Sequence, residues 1–292
     1  MNDEPTIPGP QRQLKPHRLL KFLRQEILPT TFCPGCGCGT VLNSFAQAVE
    51  ELAIDPKDMV FVTGIGCSSW IPSPYFKGDT LHTTHGRPIA FATGVKIMRP
   101  DLKVVVIAGD GDIAGIGGNH LVHAARRNID MTVLMVNNWN YGMTGGQVSP
   151  TTPIGAATTT TPYENVEHPL EAAELVAAAG ANYVSRWTTY HVFPLMESIQ
   201  RALEIEGFSF IEILSQCPVS YGKMVDMRKA SDFLKFYRDR SVRVHKAREM
   251  SAEQLEGRIV VGKLVERQRT EFAASLRRIN ERFREDEPVR ER

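Results

Sequence analysis

The stretch VVVIAGDGD, residues 104–112, decides how this 292-residue chain folds. Its first five residues are apolar and mostly β-branched, and they stop dead at Gly109. A run with no polar alternation reads as a strand buried on both faces. A sheet buried on both faces needs helices on either side, so residues 104–108 predict an α/β protein with a mostly parallel sheet. The surroundings repeat the pattern. MVFVT (59–63), MTVLMV (131–136), residues 183–187 and FSFIEIL (208–214) read as further strands. Helical periodicity runs through Thr40–Leu52, Arg87–Met98, Gly118–Arg127, Pro169–Ala179 and Val192–Glu206. In such a sheet the ligand crevice lies beyond the carboxyl ends of the strands. The loops 64–69, 109–118 and 137–147 all follow strands, so they are expected to crowd one edge.

Composition sets the outer bounds. Hydrophobic residues at 42% and charged residues at 23% fit a soluble globular chain and exclude disorder over its bulk. No apolar run reaches the ~18 residues of a membrane helix, and MNDEPTIPGPQRQ at the start lacks an apolar signal core. Neither a membrane nor a nucleic-acid partner is expected. The net charge of +1 hides a split: residues 223–292 carry 19 Lys and Arg against 13 acidic residues, leaving 15 against 20 for residues 1–222. The chain therefore divides into a proline-rich N-terminal arm (1–31), an α/β domain (32–222) and a basic extension (223–292). The arm holds a short helix around Leu19–Ile27. The extension is expected to be helical, with no strand in it.

Gly109-Asp110-Gly111-Asp112 follows one strand directly, and Asn137-Asn138 closes the next, with 25 residues between Gly111 and Asn137. Glycines let backbone approach a diphosphate closely. A carboxylate and an amide oxygen at neighbouring strand ends suit a hard divalent cation on phosphate oxygens. A helix opening at Gly117–Gly118 can aim N–H groups at the anion. The plainer reading is two β-turns, but two such turns at this spacing, each after a buried strand, favour a site. A dinucleotide fingerprint fits worse, because Gly115, Gly117 and Gly118 do not form G-x-G-x-x-G.

Five cysteines are too few for a disulfide scaffold and cannot all pair. Cys33 and Cys36 form C-x-x-C, while Cys67 and Cys217 each follow a strand. An Fe–S cluster needs four thiolates without fixed spacing. Structural zinc usually takes two close pairs, so zinc stays open but second. A thioredoxin-like dithiol needs a different context. Cys38 is left over as a buried thiol.

The GDG…NN pair resembles the thiamine diphosphate signature, which implies Asp110, Asn138 and the Asn140 carbonyl as magnesium ligands. FCPGCGCG (32–39), GIGCSS (64–69), HTTHGRPIAFATGVK (82–96), GDGD (109–112), NNWNYGMTGGQ (137–147) and QCP (216–218) occur in order. Together they resemble the β subunit of a 2-oxoacid:ferredoxin oxidoreductase, most similar to the 2-oxoglutarate type. The resemblance implies that Cys33, Cys36, Cys67 and Cys217 hold a [4Fe–4S] cluster. It further implies that Ile65, Gly66, Cys67 and Ser68, with His85, Gly86 and Arg87, line the cofactor site. Gly109, Asp110, Gly111 and Asp112 would cradle its diphosphate end, and Tyr141, Gly142, Met143 and Thr144 would border the thiazolium. Trp70 stands near the substrate, where relatives commonly have a polar residue.

The implied reaction is oxidative decarboxylation of a 2-oxoacid, with coenzyme A accepting the acyl group and ferredoxin the electrons. The resemblance implies that the activating glutamate comes from an α subunit; Glu50 and Glu51 read as surface ion-pair residues on a helix. The chain is then one half of a cytoplasmic hetero-oligomer. Two alternatives remain: a non-oxidative thiamine diphosphate decarboxylase or synthase, and a non-catalytic zinc- or cluster-bearing scaffold.

Overall fold

The computed structural model describes residues 17–285, so the first half of the N-terminal arm and the last seven residues lie outside it. Short 3₁₀ turns at Arg18–Phe22 and Gln25–Ile27 open the described chain. Then follow α1 (Gly37–Glu51), β1 (Met59–Thr63), β2 (Asp79–His82), α2 (Pro88–Met98), β3 (Lys103–Gly109), α3 (Gly118–Arg127), β4 (Met131–Asn137), α4 (Ala172–Ala179), β5 (Tyr183–Thr188), α5 (Val192–Glu204) and β6 (Phe208–Leu214). The remainder holds α6 (Tyr221–Met224), α7 (Ala230–Arg240), β7 (Ser241–Arg243), α8 (Val244–Ala247), α9 (Ala252–Leu255), β8 (Ile259–Glu266) and α10 (Phe272–Glu285).

One sheet runs in the order β2-β1-β3-β4-β6-β5-β8-β7. Every pairing is parallel except β5 with β8. The continuous apolar runs serve both faces, because successive side chains point opposite ways. Val105, Ile107, Leu134, Val136, Ile211 and Ile213 join one core beneath α1 and α5. Val104, Val106, Ala108, Met131, Val133, Met135, Phe208 and Phe210 join the other, beneath α2, α3 and α4. The chain turns to one side of β1 for β2 and to the other for β3, so the two connections part above the β1–β3 boundary. Crevices form at such a switch point.

Two expectations need correction. The basic extension is not purely helical: β8 pairs antiparallel with β5 and carries β7 on its outer edge. IVVGKLVE is half exposed and broken by a lysine and a glycine, so it lacks the continuous apolar run of the inner strands. β2 (DTLH) was likewise not expected as a strand; it is a polar, mostly exposed edge. The extension is also no loose appendage. Phe233 and Tyr237 of α7 are fully buried and build a third core with Trp139 and Tyr221.

An aromatic cluster joins α1 to β1. Phe45 sits edge-on to Phe61 and Phe76, with ring centroids 5.7 and 5.3 Å away. Phe45→Ala is expected to cost about 3–5 kcal/mol, seen as a lower urea midpoint with an unchanged slope.

Candidate functional site

β1, β3, β4 and β6 are mutually parallel, so their carboxyl ends share one edge. That edge carries the residues singled out in the sequence. One cleft is lined by Ile65, Gly66, Cys67, Ser68, His85, Gly109, Asp110, Gly111, Asp112, Asn138, Asn140, Tyr141, Gly142, Met143 and Thr144. Gly86 and Arg87 do not line it. Gly86 acts from behind, its N–H donating to Asp112 Oδ1 at 2.6 Å. The guanidinium of Arg87 folds back on the Gly86 carbonyl at 3.1 Å.

After β3 the chain makes one wide π-type turn, Gly111–Ile116, closed by Gly117 N–H donating to the Asp112 carbonyl at 3.0 Å. Such turns gather at functional sites. This one buries both Asp110 and Asp112. Burial pushes both carboxyls up, against the hydrogen bonds they accept. His85 Nδ1 lies 2.9 Å from Asp112 Oδ1, while Asp112 Oδ2 is buried without a partner. Glycine is required at 64, because a Cβ there would fall 2.1 Å from that same oxygen. The cleft thus holds two buried carboxylates, one with an unpartnered oxygen, which suits a cationic ligand.

The second strand end supplies neutral oxygens. Trp139 adopts a left-handed backbone, φ 62°, at a cost of about 1–3 kcal/mol for a residue with a Cβ. The turn places Asn138 Oδ1 2.7 Å from the Asn140 carbonyl oxygen and 3.3 Å from Asp110 Oδ1. All three are acceptors, and Asn140 Oδ1 beside them is buried and unpartnered. Swapping the Asn138 amide would relieve the clash with one nitrogen. In the oxygen-inward orientation the trio forms an all-oxygen donor set for a hard cation. The Trp139 indole is pinned by Tyr221, Phe236 and Tyr237, at centroid distances of 5.6, 6.2 and 6.0 Å. The C-terminal segment therefore buttresses the strained turn.

The cysteines converge next door. Cys33, Cys36, Cys67 and Cys217 line one pocket with Phe32, Trp70 and Pro218. Trp70 faces this pocket rather than the cleft. Cys36 N–H donates to the Cys33 carbonyl at 2.9 Å, and Gly37 N–H to the Gln216 carbonyl at 3.0 Å. The second bond ties the C-x-x-C turn to the end of β6. Burial and the neighbouring thiols push Cys33 up, and the same causes push Cys67 up to about 11. Cys36, which accepts a hydrogen bond from Cys38, is lowered to about 7. Cys38 is buried, as expected. Among the described residues no three His, Cys, Asp or Glu side chains meet where one ion could be held. The thiols ring a space instead. Cys67, Asn138 and Gly142 border both pocket and cleft.

A roomier cavity of about 530 Å³ lies beyond Asn137, against α7 and the loop 153–156. Its lining is mostly apolar; the buried charges Arg186 and Glu212 are paired with each other and with Glu171, and Arg258 donates to the Asp239 carbonyl. Sequence reasoning missed what joins the two. Asn137 Nδ2 donates to Glu212 Oε1 at 2.8 Å, and Glu212 Oε2 accepts from Arg186 at 2.7 Å. Arg186 also reaches Glu171 at 2.5 Å. Burial pulls the guanidinium down, and the two glutamates more than offset it, leaving the net shift upward. Ser149 and Thr151 were also missed, although the run SPTT beside the NN segment signals hydroxyls near it.

The cleft lies within residues 64–213, which match the family of thiamine pyrophosphate enzymes through its C-terminal TPP-binding domain. The relatives narrow the class. The 2-oxoglutarate synthase subunit KorB of Methanocaldococcus jannaschii is 52% identical over 92% of this chain and 100% of that protein. The 2-oxoacid:ferredoxin oxidoreductase subunit beta of Saccharolobus solfataricus is 43% identical over 64% of this chain and 62% of its own length. A solved 2-oxoglutarate:ferredoxin oxidoreductase from Magnetococcus marinus superposes with a TM-score of 0.81 at 34% identity, covering 96% of this chain and 94% of that one. This chain belongs to the β-subunit family of the 2-oxoacid:ferredoxin oxidoreductases.

The buried relay behind the cleft gives a stability test. Glu212→Ala leaves Arg186 with only its half-exposed partner Glu171 and strips Asn137 of its acceptor. A loss of about 3–5 kcal/mol is expected, measured by chemical denaturation.

Proposed function

We propose that this chain holds thiamine diphosphate and magnesium in the cleft and a [4Fe–4S] cluster in the cysteine pocket. With an α subunit it oxidatively decarboxylates a 2-oxoacid to acyl-CoA and carbon dioxide and passes the electrons to ferredoxin. The observation that carries this reading is the convergence of Asp110 Oδ1, Asn138 Oδ1 and the Asn140 carbonyl oxygen. Three oxygens, one of them anionic, leave room for phosphate oxygens and water around a six-coordinate ion. When bound, thiamine diphosphate supplies the electron sink for decarboxylation and the cluster takes up single electrons.

The protein's part is position. Asp110, Asn138 and Asn140 hold the ion, and the N-terminus of α3 turns its N–H groups and positive dipole end toward this edge. His85 lines the cleft with its Nδ1 2.9 Å from Asp112 Oδ1. Cys67 borders both compartments, which favours electron transfer between them. Cys33, Cys36, Cys67 and Cys217 line one pocket, which supports a centre held by four thiolates.

Substrate preference is assigned to 2-oxoglutarate. The KorB relatives carry that name, and the Magnetococcus enzyme was solved with 2-oxoglutarate, coenzyme A and succinyl-CoA bound. The cleft needs a second chain. Ile65 and Met143 line it yet are 44% and 43% exposed, and Glu50 is engaged by Lys21 at 2.5 Å rather than by the cleft. The α subunit supplies the missing wall and the activating carboxylate. Five free thiols fit a reducing cytoplasm. Among the described residues no helix is long and apolar enough to cross a membrane.

Asp110→Ala in the αβ complex is expected to abolish magnesium-dependent thiamine diphosphate binding by titration calorimetry. Anaerobically purified complex is expected to contain iron and sulfide, and zinc in their place would sink the cluster assignment. In a panel of 2-oxoacids with coenzyme A and ferredoxin, 2-oxoglutarate is expected to give the highest kcat/KM.

A further inference from the structure

Asp110 has two oxygens, and they meet different company. Oδ1 faces Asn138 and Asn140. Oδ2 accepts from Ser149 Oγ at 2.6 Å and from Thr151 Oγ1 at 2.7 Å. Ser149 and Thr151 are 4% and 3% exposed, so water does not compete for these bonds. A proton inventory shows where each hydroxyl hydrogen goes. Thr152 Oγ1 gives its hydrogen to the Trp139 carbonyl at 2.7 Å and accepts from the Ser149 N–H at 2.8 Å. The Ser149 hydroxyl is then free to donate to the carboxylate. Thr151 Oγ1 has a second acceptor within reach, Asn137 Oδ1 at 2.9 Å. That oxygen already takes the Trp139 N–H at 3.1 Å. The ionised carboxylate is the stronger acceptor, because charge-assisted bonds are roughly twice as strong as neutral ones.

We propose that Ser149 and Thr151 are positioning residues that occupy Asp110 Oδ2 and so restrict Asp110 to a one-oxygen ligand, making the site selective for magnesium over calcium. The proposal rests on the magnesium reading of the cleft. Its physical basis is the difference between the two ions. Magnesium demands near-octahedral geometry and takes carboxylates through single oxygens, while calcium is larger and accepts bidentate carboxylates and higher coordination. A carboxylate whose second oxygen is locked by two hydroxyls cannot chelate. Without them it can rotate and present both oxygens, and its lone pairs inside the protein go unsatisfied when magnesium takes only one.

The test uses the assembled αβ complex and thiamine diphosphate binding by titration calorimetry, at graded Mg²⁺ and, separately, graded Ca²⁺. Thr151→Val and Ser149→Ala are each expected to raise the Mg²⁺ concentration needed for half-maximal cofactor binding about 10- to 100-fold, the usual effect of removing a partner of a metal ligand. The Ca²⁺ requirement is expected to shift less, so the Mg²⁺/Ca²⁺ preference falls. Thr151→Ser, which keeps the hydroxyl, is expected to restore it. Equal weakening for both ions, or none, overturns the positioning role while leaving the metal reading intact. Asp110→Ala that still binds the cofactor with unchanged Mg²⁺ dependence overturns the metal reading itself.

Discussion

Oxygen acceptors repel one another, and here three are held within a few ångströms of a common centre. With the Asn138 oxygen inward that arrangement is unfavourable for the bare polypeptide, which relieves it by turning the amide nitrogen in. The groups themselves are held close by rigid neighbours: Asp110 by the end of β3 and two buried hydroxyls, Asn138 by the end of β4, and the Asn140 carbonyl by the left-handed turn at Trp139. Much of the fold can be understood as the apparatus that keeps these groups from drifting apart. Parallel pairing brings the strand ends to one edge. The two hydrophobic cores stiffen the strands from both faces. The buried Asn137–Glu212–Arg186 chain anchors the loop to the middle of the sheet.

The same edge explains why the cleft and the cysteine pocket are neighbours in one chain. β1 ends in Gly64-Ile65-Gly66-Cys67, which contributes backbone to the cleft and a thiol to its neighbour. β6 ends beside Cys217, and the Gly37–Gln216 hydrogen bond draws Cys36 to it. Residues nearly 200 positions apart in sequence are thus brought together by strand order alone. A Cβ at Gly142 would sit 3.5 Å from both Cys217 Sγ and Asn140 Oδ1, so only the width of a backbone separates the two compartments.

The inner sheet was legible because its strands are buried on both faces, which forces long apolar runs that no other element tolerates at that length. The cleft was legible because glycines, carboxylates and paired asparagines at strand ends have few structural uses in combination. β2 and β8 were not legible. An edge strand has one partner and a wet side, so DTLH and IVVGKLVE carry the composition of loops and amphipathic helices. Arg87 was placed in the cleft by its neighbours in the motif, but its guanidinium bonds to Gly86. The run holding Ser149 and Thr151 signals only that hydroxyls are near, because a hydroxyl loop gains its meaning from the carboxylate it folds against. The charge surplus of the extension also says nothing of where it packs, which Phe233 and Tyr237 on the buried side of α7 decide.

The clamp of α7 on Trp139 has a thermodynamic consequence. A strained backbone held by packing is one equilibrium seen from two ends, and coupling between two ends is reciprocal. Whatever favours the left-handed turn therefore also favours the aromatic contacts of Tyr221, Phe236 and Tyr237, and loosening those contacts loosens the turn. The C-terminal segment is thus a gauge of the turn, read some eighty or more residues further along the chain.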